Sequence, residues 1–354
     1  MLLHNATKKK FIIIIMFCLS LLLTACGGQN ASTKIVLTTG FAKNEVFRID
    51  NKSCKLPEVM VYLTCMQNQY TEVFGEEIRQ VSLDGVTLEE NLKETVLARI
   101  AQVKTLNLLA EKKQISLNDD EIKAAGEAAE AYYRSLSKKE VETLGVTKDI
   151  LIQMYSEYAL AEKTYAFIIQ DINPEISDDE ARIVRVMDIY IKTSTRDGPG
   201  ERIEYTEQAR NQAYLRAKEA YGQVTDGGQS FEKVMEEYSE NPPTELSFGK
   251  GEMSEMLEEA AFNMGNGEIR GIIEDEDGYH ILKCVSTFDR EETDRNKAII
   301  MEERKKQVFD EEYDVFVEGL TRRLNEKLWE EVSCIQDDEV RTSSFFEIFN
   351  NYFR

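Results

Sequence analysis

The stretch 248–285 constrains this 354-residue chain more than any other. It runs Phe248-Gly-Lys-Gly-Glu-Met253, Leu257-Glu-Glu-Ala-Ala-Phe262-Asn-Met264, Gly267-Glu-Ile269 and Asp277-Gly-Tyr-His280-Ile-Leu-Lys-Cys-Val285. Gly249 and Gly251 hinge a loop. Ala260, Ala261 and Phe262 give a short helix its inner face, and Gly265–Gly267 mark a turn. The last segment alternates as a strand does, with Tyr279, Ile281 and Val285 on one side and His280, Leu282 and Cys284 on the other.

Helical patterns flank this region. Thr87-Leu-Glu-Glu90 is a capping box, after which Leu92, Val96, Ile100, Val103 and Leu106 mark one face. Asn118-Asp-Asp-Glu121 starts a second helix, and Thr147 precedes a third carrying Ile150, Met154, Tyr158 and Leu160. None of these helices can bury its stripe alone, so together they predict a helical domain. Asn173-Pro174 breaks the pattern, because the residue before proline is pushed out of the helical region. A β-run over 183–192 follows, with Val184, Val186, Asp188 and Tyr190 facing one way, then helices over 206–224 and 231–238. After Thr287 one long helical pattern returns, from Met301 through Val308, Tyr313, Phe316, Leu320, Leu324 and Leu328 to Val332. It has no core of its own, so the economical arrangement packs it on the first helical domain. The tail is aromatic, and Phe345, Phe349 and Tyr352 align on a helix as a docking segment.

Lys8, Lys9 and Lys10 precede an apolar run, Phe11–Leu23, too short to span a bilayer comfortably. Leu23-Thr-Ala-Cys26 follows at once. A basic region, a short apolar region and small residues before the cut describe a secretory signal peptide. The cysteine after Leu-Thr-Ala resembles the lipobox of bacterial lipoproteins, which implies lipid attachment at Cys26. Two acyl chains at ~0.8 kcal/mol per buried methylene anchor stably where one is marginal. The formal charge is −22 for the whole chain, and about −25 once the three lysines are removed. Such a balance argues against nucleic acid and against adhesion to anionic lipid, and for a soluble body held at the outer face of a membrane. Cys54, Cys65, Cys284 and Cys334 are too few and scattered for a disulfide scaffold, although Cys54 and Cys65 could close a small loop. With two histidines in all, His4 in the segment to be removed, a zinc site is not expected.

The order and spacing of the 248–285 elements resemble the C-terminal half of a parvulin-type peptidyl-prolyl isomerase. There a Gly-x-Gly-x-Met loop, a Glu-x-Ala-x-Phe helix, a Gly-Glu-Ile turn and a Gly-Tyr-His-Ile strand wall the proline pocket. The flanking helical segments resemble, in pattern, the extracytoplasmic foldases of the PrsA and SurA type. The resemblance implies an α+β parvulin-like domain, an antiparallel sheet with surrounding helices, inserted in an all-α chaperone-like domain built from N- and C-terminal segments. The expected organisation is a signal peptide over 1–25, a tether over 26–44, helical segments over 45–178 and 289–335, the parvulin-like domain over 179–288, and the tail over 336–354.

Turning an X-Pro bond needs no nucleophile, metal or cofactor, because the barrier of about 18–20 kcal/mol is amide resonance. An apolar socket that excludes water, with polar groups favouring the twisted amide, lowers it. By resemblance the socket is Met253, Leu257 and Phe262, with Leu257 where the family usually has Phe. The first-strand histidine of the family is replaced by Asp188, the second is kept as His280, and Asn241 stands at the polar position after Tyr-Ser. The usual Gly-Gly-Asp-Leu-Gly run is reduced to Thr244-Glu-Leu-Ser247. A buried Asp188 needs a partner, and His280 is the imidazole positioned to supply it. The resemblance implies a foldase binding newly secreted polypeptides with X-Pro bonds, its isomerase activity weak or lost. The alternative is a non-catalytic binding lipoprotein using the fold as a scaffold.

Overall fold

The computed structural model describes residues 40–353, apart from Val81, Asp84, Pro174, Gly198, Pro199, Pro243 and Thr244. The expected signal peptide, Cys26 and most of the expected tether lie outside the described residues. The chain divides into two units, one formed by residues up to Ile172 together with Lys305–Arg354, the other by Asn173–Arg304.

Side-chain caps set the helices of the first unit. Thr87 and Glu90 exchange hydrogen bonds at the start of Leu88–Lys113, and Asn118 and Glu121 do the same for Asp119–Ser135. Thr147 caps Lys148–Ile169. The stripe of Leu92, Val96, Ile100, Val103 and Leu106 is buried in one core with Val59, Leu63, Tyr132, Met154 and Tyr155.

The chain returns to this core through Phe309, which is 1% exposed and packs against Tyr165 and Tyr313. Here the structure departs from the single long helix expected through Val332. The helix Arg290–Glu318 stops before Gly319, and Arg322–Leu324 is a strand. It joins Glu45–Ile49 and Lys52–Lys55 in a three-stranded antiparallel sheet, pairing Leu324 with Phe47. Leu320, Leu324 and Leu328 have helical spacing, but pairing with the N-terminal strand gives the backbone partners that a helix would have supplied internally. A short helix, Glu326–Glu331, follows. The last helix, Phe345–Phe353, buries Phe345 and Phe349, whereas Tyr352 is 40% exposed and Phe353 stacks on Phe349 instead. Neither Cys54 nor Cys65 is in a disulfide, so they do not close a loop. Cys54 lies on a strand, and Cys65 sits in mid-helix with its sulfur 3.4 Å from the Tyr132 hydroxyl.

In the second unit a four-stranded antiparallel sheet has the order Glu245–Phe248, Val184–Lys192, Gly278–Ser286, Ile269–Glu274. The helices Glu207–Thr225 and Phe231–Tyr238 cover one face, where Ile189, Ile191, Tyr279 and Ile281 are buried. The helix Glu255–Phe262 covers the other, placing Leu257, Ala260 and Ala261 on Val184, Val186, Leu282 and Cys284. Gly278 is obligatory at the start of its strand, because a Cβ there would stand 2.6 Å from the Tyr190 ring. Among the described residues no helix is long and apolar enough to cross a membrane.

One buried charge ties the first unit together. Lys104, 1% exposed, lies with its Nζ 2.6 Å from both Glu58 and Glu157. Burial alone would discharge it, but the two carboxylates outweigh burial and raise its pKa to about 12. Its contribution is therefore fully present below the ordinary lysine value and is lost as pH climbs through about 12. Lys104→Met strands two carboxylates, and we expect a loss of about 3–5 kcal/mol at neutral pH. Because protonation relieves stranded carboxylates, the deficit should shrink towards acid pH. Urea unfolding at several pH values checks both the size and the trend.

Candidate functional site

The sheet face under the helix Glu255–Phe262 changes character along its length. At one end Val184, Val186, Leu282 and Cys284 are apolar; at the other the same alternation brings up Asp188 and His280. Leu282 is directly opposite Asp188 and His280 opposite Tyr190, so the two polar residues meet across a diagonal of the ladder. The His280 Nδ1 lies 2.8 Å from the Asp188 Oδ2, and both side chains are more than nine-tenths buried. Tyr190 stacks on the imidazole at 4.7 Å, and its hydroxyl donates to the Asp277 carbonyl.

A second carboxylate completes the arrangement. Asp275 Oδ2 is 3.3 Å from the His280 Nε2 and accepts from the Ser254 hydroxyl at 3.2 Å. Its other oxygen accepts from the backbone N–H groups of Asp277 and Gly278. The sequence reading did not single out Asp275. Its signal is the run Asp275-Glu-Asp-Gly278, in which an aspartate that caps its own turn has one oxygen to spare.

Burial, the largest single influence on His280, opposes its charge. The Asp188 and Asp275 carboxylates together outweigh it, and the pKa is raised. Tyr190, buried and beside several carboxylates, is pushed up to about 12 and stays a donor. The second oxygen of Asp188 is buried with no hydrogen-bond partner among the described residues, a costly state for a carboxylate.

The apolar candidates stand on the same face. Leu257 is 3% exposed and belongs to the closed core between helix and sheet. Phe262 is half-buried, edge-on to Phe248, with the Arg182 guanidinium 4.8 Å above its ring. Met253 is 36% exposed, immediately before the Ser254 that holds Asp275. Its loop turns at Gly251, where φ is +87°, and Glu258 accepts from the N–H groups of Gly251 and Met253. Asn241 is exposed. Its neighbour Glu240 is fixed to the first strand through the Tyr190 carbonyl and the Lys192 N–H, but among the described residues no hydrogen bond joins Asn241 to the His280 network. The structure thus brings Asp188 and His280 into contact, sets Leu257 and Phe262 on their sheet face, and leaves Asn241 outside the network.

Residues 191–286 match the rotamase family described as the PPIC-type PPIase domain. The match contains His280, Asn241, Met253, Leu257 and Phe262 and begins three residues after Asp188. Over 263 residues the chain is 23% identical to a foldase protein PrsA of Caldanaerobacter subterraneus subsp. tengcongensis, covering 72% of this chain and 77% of that one. These matches support a parvulin-type, PrsA/SurA-like foldase resemblance, with the PPIC-type domain over 191–286. A PrsA of Geobacillus kaustophilus is 32% identical over 98 residues, 26% of this chain and 32% of its own length. Among solved structures, the PrsA peptidylprolyl isomerase of Bacillus cereus is 18% identical, covering 77% of this chain and 98% of that one with a TM-score of 0.34.

The raised pKa of His280 fixes the sign of its pH dependence. The stabilisation is complete below the ordinary histidine value and fades as pH rises through the higher folded value. Asp188→Asn removes one of the two carboxylates that hold the proton, so the pKa of His280 should fall. His280 is the only histidine after His4, so its imidazole proton shifts can be followed without overlap. A titration identical to wild type would mean that Asp188 does not hold that proton.

Proposed function

We propose that this chain is a membrane-anchored extracytoplasmic foldase. In this reading its parvulin-like domain binds X-Pro segments of newly secreted polypeptides and isomerises them weakly. The observation that carries the weak-activity reading is the Asp188–His280–Asp275 arrangement. Nδ1 is taken by Asp188, and Nε2, 3.3 Å from Asp275 but without a hydrogen bond, is buried, so His280 presents no exposed N–H to a substrate. The unpartnered oxygen of Asp188 adds an acceptor, not a further N–H donor, to the site. Apolar surface for a proline ring remains at Met253 and Phe262, and burying such a ring is worth roughly 1–2 kcal/mol at about 25 cal/mol per Å². Asn241 stands at the rim in this reading, and Leu257 supports the floor from beneath. No cofactor or metal enters the scheme.

A protease-coupled proline assay on the chain from Cys26 onward tests this. We expect a rate a few-fold above the uncatalysed one, reduced by Met253→Ala, which also weakens the amide shifts caused by a proline-rich peptide. A rate equal to the uncatalysed one would favour the non-catalytic binding lipoprotein, for which the inward placement of Asp188 and Asp275 against His280 is the supporting observation.

Anchoring is separately testable. Lipid attachment at Cys26 supports a membrane-bound pool, so Cys26→Ala should release the protein into the soluble fraction or leave the precursor uncut. Undiminished recovery with membranes in the absence of detergent would exclude lipidation as the anchor.

A further inference from the structure

Asp275 belongs to neither central strand. It opens the turn between Ile269–Glu274 and Gly278–Ser286, which closes where the Asp275 N–H donates to the Gly278 carbonyl at 3.0 Å. Its Oδ1 accepts from the N–H groups of Asp277 and Gly278 at 2.9 and 3.0 Å. With one oxygen tied to the turn's own backbone, the shape of the turn sets where the other points. The 3.3 Å approach of Oδ2 to the His280 Nε2 therefore depends on how Asp275-Glu-Asp-Gly278 is held. That run has no apolar side chain with which to pack itself.

A second hairpin holds it from outside. Strands Ser194–Arg196 and Arg202–Glu204 pair antiparallel directly after the first strand of the sheet. At the base of this hairpin the Thr193 N–H donates to the Asp277 carbonyl at 2.8 Å, and the Ser194 hydroxyl donates to the Asp277 Oδ1 at 3.1 Å. Both residues are buried. From the returning strand, the Arg202 guanidinium donates to the Glu276 carbonyl, and its Nε lies 3.2 Å from the Asp277 Oδ1. Arg202 stands directly opposite Arg196 in the hairpin, a pairing that like charges disfavour. The acidic turn on one side and Glu204, 3.0 Å away, offset that repulsion and fix the guanidinium over the turn.

We propose that Arg202 is a positioning residue for His280: by clamping Glu276 and Asp277 it keeps the Asp275 carboxylate against the imidazole. The clamp is a matter of geometry; that it tunes a proline-binding site rests on the foldase reading. Charge and position act here in opposite directions. Asp188 from the first strand and Asp275 from the turn are the charged groups that act on the His280 ring, with Tyr190 stacked on it. Removing a cation from the neighbourhood of an imidazole favours the imidazolium, so the lost charge of Arg202 alone would raise the His280 pKa. Moving Asp275 away withdraws an anion and lowers it. The direction of the shift thus separates a positioning role from a purely electrostatic one.

The test is the titration of the His280 imidazole, followed by its proton resonances in the chain from Cys26 onward, which has no other histidine. We expect Arg202→Gln to lower the His280 pKa. Arg202→Lys, which keeps the charge but not the forked donor, should recover part of that fall. Asp275→Asn should lower the pKa further than Arg202→Gln does, and adding Arg202→Gln to Asp275→Asn should lower it no more. Ser194→Ala, which removes one donor to Asp277, should shift it in the same direction by less. An unchanged or raised pKa in folded Arg202→Gln overturns the proposal, as does an undiminished further fall in the Asp275→Asn background. Should Arg202→Gln fail to fold, Ser194→Ala decides in its place, and a wild-type titration there overturns the proposal. The titration needs no client, so a chain that turns no proline bond leaves every one of these outcomes readable.

Discussion

An imidazole bonded to the Asp188 carboxylate, with that of Asp275 3.3 Å away, governs the architecture of the parvulin-like unit. Asp188 and His280 come from the two central strands, and Asp275 from the turn that joins Ile269–Glu274 to Gly278–Ser286. Slipping either central strand by one residue would send one partner to the opposite face, since side chains alternate. A lone charge would then be buried among Ile189, Ile191 and Ile281, at a cost no neighbouring packing offsets. The polar contact therefore specifies register, while apolar burial on both faces supplies most of the stability. Gly278 belongs to the same device: only glycine lets the strand pass close enough to Tyr190 for that ring to lie flat on the imidazole.

The helical unit solves a related problem with different residues. Lys104 is held by Glu58 and Glu157, which come from separate helices. Glu58 also takes the backbone N–H of Lys55 in a capping arrangement, so one carboxylate fixes both a helix start and a core charge. Glu140 likewise accepts the Ser137 N–H with one oxygen and the tail backbone with the other. In each case a residue that looks from sequence like an ordinary first-turn acid has a second oxygen assigned to a distant segment.

That double duty explains what the sequence did and did not disclose. Capping boxes at Thr87 and Asn118 are local, and the helices begin where those residues predict. The alternation from Tyr279 to Cys284 is local too, and with the spacing of the glycines it sufficed to place the strand and the parvulin resemblance. The pairing of Asp188 with His280 followed from the parvulin resemblance, which sets the two strands side by side, together with a buried acid that has a single imidazole to meet. Asp275 escaped notice because a turn aspartate is self-explanatory without its second oxygen. The strand Arg322–Leu324 escaped because Leu320, Leu324 and Leu328 mimic a helix, and only a distant partner, Phe47, decides otherwise. Tyr352 was placed inward by a seven-residue spacing, whereas Phe353, eight residues after Phe345, takes that direction.

The same network bears on chemistry. An isomerase that stabilises a twisted amide needs polar groups poised towards the substrate and free to strengthen as the bond turns. In this chain most of the polar groups are turned inward on one another: the imidazole Nδ1 meets Asp188 with Asp275 3.3 Å from Nε2, the tyrosine hydroxyl satisfies a carbonyl, and the serine donates to Asp275. Such internal closure favours a rigid, well-registered sheet over a responsive one. The apolar candidates divide in the opposite sense, with Leu257 sealed in the core and Met253 open to solvent. On the proposed reading, a wall that keeps an accessible Met253 and a half-buried Phe262 but commits most of its polar atoms to structure would hold a proline segment better than it turns one.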